Sequence, residues 1–174
     1  MRDVDNDTTA DRLPAAWRNL AERVVSEYRA ALGDDLRAVA LFGSVARGEA
    51  GPDSDLDLYL VTRIRVSPLL DPRLDRVRGV RESPEYHELA RLGYQPDPMP
   101  ILHTVEHLAT HPWILLDISH HGVILHDPDG VLARELEAVR RRLADLGARR
   151  VEQPDGSWYW DLKQDWRPGE VVEL

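Results

Sequence analysis

Two short apolar runs, Leu36–Phe42 and Leu56–Val61, stand either side of a segment made largely of turn formers. The first run ends at Gly43-Ser44, and Asp55-Leu56-Asp57 opens the second. This order reads as strand, glycine turn, short helix, loop, strand. Leu36–Phe42 is apolar on both faces apart from Arg37, the pattern of a central strand with layers on each side. Side chains alternate along a strand, so Asp55 and Asp57 share one face while Leu56, Leu58 and Leu60 share the other. Two carboxylates on one face can hold a hard cation through oxygen ligands. Gly43 has no Cβ, so a phosphate can approach its backbone closely. Ser44 adds a hydroxyl at the start of the short helix, where backbone N–H groups already attract anions. A phosphate cradle beside paired acids is what metal-assisted phosphoryl transfer requires.

The pattern Gly43-Ser44, Arg47-Gly48, Ser54-Asp55-Leu56-Asp57 resembles that of the DNA polymerase beta-like nucleotidyltransferases, and the short chain resembles their minimal members. That resemblance implies an α/β fold: a small mixed sheet with flanking helices, here expected mainly on one side. It implies transfer of a nucleoside monophosphate to an acceptor hydroxyl with release of pyrophosphate, AMP from ATP being the leading case and another nucleoside triphosphate the alternative. The implied roles are Asp55 and Asp57 as catalytic ligands of Mg²⁺ or Mn²⁺, with Gly43, Ser44 and Arg47 binding the nucleotide. The family places a third carboxylate on the next strand. Here Pro100-Ile101-Leu102-His103 contains no acid, and Asp97 is the nearest candidate metal ligand. Minimal nucleotidyltransferases also serve as antitoxin partners of small helical proteins. A nucleotide-binding partner module with weak or no catalysis is therefore the alternative function.

Net charge of −9 argues against broad electrostatic binding of nucleic acid or an acidic membrane, although a local basic patch is compatible with the composition. Without cysteine, neither disulfides nor thiolate zinc sites can form. The chain shows neither a signal-peptide h-region nor an apolar run of membrane-spanning length, so a cytoplasmic location is expected.

Along the chain, Leu13, Trp17, Leu20, Val24, Tyr28 and Leu32 mark one helix face, with Asp11 as a capping residue and Gly33 as the stop. Leu70, Leu74 and Val77 predict a further helix face, and Tyr86 and Leu89 another after Pro84. Arg73, Arg76, Arg78 and Arg81 form a basic cluster, read as a solvated face balanced by nearby acids or as a contact for an acidic partner. Met99–Thr104 reads as the third strand. The spacing of His103, His107 and His111 suggests a metal site only if all three share one helix. Thr104 as an N-cap and Pro112 break that arrangement, leaving surface or capping roles. Pro112–His121 reads as a buried helix whose last residues, His120 and His121, sit where the helix dipole favours cationic character. Leu132, Leu136, Val139, Leu143 and Leu146 predict a long amphipathic helix. Pro154-Asp155-Gly156 predicts a hairpin turn between Arg149–Val151 and Trp158–Leu162. Trp158, Trp160 and Trp166 are read as packing residues, with base stacking and a phosphate contact from Lys163 as the functional alternative. The expected organisation is a core over residues 1–126 with a helix–hairpin extension over 127–174.

Overall fold

Helix α1 (Ala15–Leu32) buries Trp17, Leu20, Val24, Tyr28 and Leu32, the stripe its sequence spacing predicts. The computed structural model describes residues 13–154, 157–167 and 169–172. The expected cap Asp11 and the turn residues Asp155 and Gly156 lie outside them. Strand β1 (Leu36–Leu41) leads into the one-turn α2 (Gly43–Ala46), and a loop returns the chain as β2 (Leu56–Thr62). After two further short helices, α3 (Asp75–Arg78) and α4 (Pro84–Arg91), the chain forms β3 (Pro98–Thr104). Then come α5 (Val105–Leu108), α6 (Ile114–His121), β4 (Val123–His126), α7 (Val131–Leu146), β5 (Arg149–Glu152) and β6 (Trp158–Asp161).

The main sheet has four strands in the order β3-β2-β1-β4. Pairing of β1 with both neighbours is antiparallel and that of β2 with β3 is parallel, so the sheet is mixed. Strands β5 and β6 form a separate antiparallel hairpin. The fold is thus α/β, with the hairpin following the last helix as expected.

Alternation along β2 divides the interior. Leu56, Leu58 and Leu60 join α1, α3 and α4 in one apolar cluster. Tyr59 and Val61 face the other way and join Ala38, Ala40, α6 and α7 in a second. Helices therefore cover both faces, as the doubly apolar Leu36–Phe42 run implies and not mainly one side as the resemblance suggested. The reason is α7: its stripe of Leu132, Leu136, Val139 and Leu143 is buried against the face opposite α1.

The segment after β2 departs from its predicted pattern. Pro72 and Gly79 break it into short α and 3₁₀ turns, so Leu74 and Val77 are buried while Leu70 is 83% exposed. Its arginines pair with the chain's own acids: Arg73 with Asp71 and Asp35, Arg76 with Glu27, Arg78 with Asp75, and Arg81 with Asp97. The solvated, internally balanced reading of the basic cluster is the one these pairs realise. No helix among the described residues is long and apolar enough to cross a membrane.

Leu136→Ala should lower the free energy of unfolding by about 2–5 kcal/mol, because it empties a closed site. Leu70→Ala should change it by less than about 0.5 kcal/mol. Urea denaturation of the two variants measures both.

Candidate functional site

The end of β1 and the start of β2 are tied together by the amide of Phe42, which donates to the Asp57 carbonyl at 3.0 Å. One residue later the chain turns at Gly43 with φ +72°. A Cβ there would overlap the Asp57 carboxylate, with Cγ at 2.9 Å. Gly43 is thus required twice, by its backbone conformation and by the close approach of Asp57. The sequence suggested the close approach of a phosphate; the structure adds the carboxylate as a neighbour.

The loop between turn and strand is held by side-chain hydroxyls. Ser44 Oγ donates to Ser54 Oγ at 2.8 Å, and Ser54 Oγ accepts from the Gly51 amide at 2.9 Å. Ser54 therefore anchors the loop just before Asp55, a role its place in the motif did not disclose. Arg47 Nε donates to Glu49 at 2.7 Å across the same loop. This pair, led by the hydrogen bond from Arg47, holds the Glu49 carboxyl below its ordinary range.

Asp55 and Asp57 are both half-buried at the mouth of the second sheet face. Burial first, and the Asp55 charge second, push the Asp57 carboxyl above its ordinary value, with Arg47 opposing. Neither carboxylate is engaged by an ion pair to a described residue. Partly buried carboxylate oxygens beside a like charge suit a divalent cation, which would remove the repulsion. The donor set on the chain is two acids, so the remaining ligands would have to come from elsewhere.

Asp97 is not brought to them. Its two oxygens accept from Arg81 Nε and Nη2 at 2.8 and 2.9 Å, and Tyr86 donates its hydroxyl at 2.9 Å. In the parallel β2–β3 register Asp57 lies beside Met99, and β3 presents Met99, Ile101 and His103 on the Asp57 side. Among the described residues no group of three His, Cys, Asp or Glu side chains could hold a metal ion. The three spaced histidines do not meet as a set. His103 on β3 meets the Tyr59 hydroxyl at 3.1 Å and its ring lies 4.1 Å from that of His107 on α5, whereas His111 contacts Glu135 at 2.8 Å. Thr104 caps α5 by accepting from the His107 amide, as its position predicted.

His121 also differs from expectation. Its place at the end of α6 suggested a favoured cation, but burial, then His120, Arg150 and Arg47, lower its pKa. Desolvation and neighbouring positive charge outweigh the helix dipole there.

The profile of the nucleotidyltransferase domain family matches residues 19–103. No curated protein matches the chain. Solved structures it resembles include a toxin–antitoxin complex with AMP-PNP, at 12% identity and TM-score 0.41, covering 72% of this chain and 92% of that one. Another is the tri-AMPylated Shewanella oneidensis HEPN toxin in complex with MNT antitoxin, at 10% identity and TM-score 0.41, covering 75% and 92%. The MntA–HepT toxin–antitoxin is similar at 12% identity and TM-score 0.41, covering 74% and 92%.

Gly43→Ala should destabilise the protein by at least about 1–2 kcal/mol from its left-handed backbone alone, with the displaced Asp57 carboxylate adding to that. Chemical denaturation reads the loss. Asp57→Asn should act in the opposite direction in metal-free protein at pH 7. A carboxyl whose folded pKa is raised binds its proton more tightly when folded, so its ionisation costs stability as pH rises through the ordinary carboxylate range. The variant's thermal midpoint should therefore exceed the parent's at pH 7, and the gap should close below pH ~4.

Proposed function

We propose, from the match of residues 19–103 to the nucleotidyltransferase domain family, that the protein transfers AMP from ATP to an acceptor hydroxyl. The observation that carries this reading is the Asp57 carboxylate lying against the Gly43 turn, with Asp55 near enough for its charge to act on it. Asp55 and Asp57 would hold a divalent cation. When bound, Mg²⁺ or Mn²⁺ supplies charge neutralisation on the phosphate oxygens. The backbone at Gly43 and the Ser44 hydroxyl would hold the outer phosphates, Ser44 exchanging its bond to Ser54 for a phosphate oxygen. Arg47 would leave the exposed Glu49 for the same charge. The acceptor oxygen then attacks the α-phosphorus, the bond to the β-phosphate breaks, and pyrophosphate leaves. In such in-line transfer the protein contributes mainly position and charge compensation.

One observation favours a second reading. Beside Asp57, β3 carries Met99 and Ile101 where a third acid would lie, and Asp97 is occupied by Arg81 and Tyr86. A nucleotide-binding module that partners a small helical protein, with weak or no transfer, is compatible with that incomplete set of acids.

Incubation with α-labelled ATP, Mg²⁺ or Mn²⁺ and a cell lysate distinguishes the two. Under the transferase reading label enters an acceptor, and Asp55→Asn or Asp57→Asn lowers incorporation by at least about 100-fold. Asp97→Asn should leave incorporation unchanged and cost about 1 kcal/mol of stability, the scale of an exposed pair. Nucleotide binding without any transferred label would move the assignment to the partner module. An effect of Asp97→Asn equal to that of the other two would make Asp97 a ligand.

A further inference from the structure

The sheet register determines what flanks the Gly43 turn on the side away from Asp57. Leu41 pairs with Val123 in antiparallel β4. Gly122 alone separates Val123 from His121, the last residue of α6. Gly122 permits this because a Cβ there would fall 2.5 Å from the Ile118 carbonyl oxygen, so the chain can pass from α6 into β4 without a spacer. Helix α2 also packs against α6. His121 thus stands near the loop after Gly43, within reach of the Arg47 and Glu49 charges, and its Nε2 lies 2.7 Å from Arg150 Nη1.

Arg150 comes from β5, more than a hundred residues after Gly43. Its guanidinium lies 5.2 Å from the centre of the Trp158 ring, and Nη2 donates to Glu152 at 2.6 Å. The hairpin is fixed at this place. Trp160 and Leu162 pack in the same cluster as Phe42, and the Trp160 ring meets His120 edge-on at 5.6 Å. The Arg150 guanidinium can only donate, so His121 Nε2 accepts, and burial with the cationic neighbours lowers the pKa of that histidine. The Glu49 carboxyl feels His121 and Arg150 as well as Arg47, which places both arginines around one patch. Each holds a mostly exposed glutamate, Glu49 for Arg47 and Glu152 for Arg150. Such exposed pairs are weak, and a phosphate oxygen replaces them readily.

We propose that Arg150, positioned by His121 and Trp158, is a second phosphate-binding cation of the Gly43 site, taking the β- or γ-phosphate of a nucleoside triphosphate from the side opposite Asp57. The inference rests on the nucleotide-site reading above and extends it to the hairpin, which becomes part of the site.

The test is calorimetry on the full chain with Mg²⁺ and α,β-methylene-ATP, whose α–β linkage cannot be cleaved, alongside AMP. Arg150→Gln should weaken binding of the triphosphate analogue about tenfold, the scale of one charge-assisted contact. Arg150→Lys should recover part of that loss. AMP affinity should stay at the parent value, because AMP lacks the phosphates that Arg150 contacts, and this separates a phosphate contact from a collapsed hairpin. An unchanged affinity for the analogue in Arg150→Gln, with the parent binding it, overturns this inference alone. Equal losses for AMP and the analogue overturn it in favour of a structural role. A parent that binds neither nucleotide removes the nucleotide-site reading, and this inference with it.

Discussion

The close approach of Asp57 to Gly43 is the constraint on which the rest of the site depends. The Phe42 amide bonds to the Asp57 carbonyl, and the next residue must turn without a side chain so that the carboxylate can lie against it. Only glycine meets both demands, since it enters the left-handed region without penalty and has no Cβ. The same contact brings a partly desolvated acid to the start of α2. The raised pKa of Asp57 is its electrostatic consequence. Local stability is given up to hold a charge ready for a counter-ion, a trade common at functional sites.

The sheet carries that site because its two faces do different work. Leu56, Leu58 and Leu60 anchor β2 to α1, α3 and α4, while Tyr59 and Val61 meet α6 and α7. A strand buried on both faces cannot slip by one residue without exposing one cluster and burying polar groups in the other. The register of β2 is therefore fixed by its apolar residues. With it comes the position of the two acids at the strand's leading end, where the apolar cover stops.

Charge is distributed so that the acidic protein neutralises most of its own arginines. Those of the segment after β2 fasten it to α1 and to the start of β3, notably Arg76 to Glu27 and Arg81 to Asp97. Asp97 is thereby a structural tie rather than a free carboxylate. Around the Gly43 turn the arginines instead hold exposed glutamates, which are partners easily exchanged.

Local pattern determined much of this protein. The stripes of α1 and α7, the strand–turn–strand of residues 36–62, the Thr104 cap and the acid pair follow from spacing and residue type, because each is set by neighbours within a few positions. The similarity of residues 19–103 to the nucleotidyltransferase domain family was legible for the same reason, its motif lying within one short stretch. The broken course of residues 67–82, which leaves Leu70 in water, was less so: Pro72 and Gly79 interrupt the turns that the apolar spacing alone would continue. Only the tertiary structure decided that Asp97 binds Arg81 and Tyr86, and that His121 meets Arg150 near Arg47 and Glu49. Those outcomes depend on strand register and on contacts between residues far apart in sequence, which periodicity does not encode. The placement of Arg150 is the clearest case. Its neighbours in sequence announce only a hairpin, and packing of that hairpin against the second apolar cluster brings its guanidinium to His121 and near Glu49.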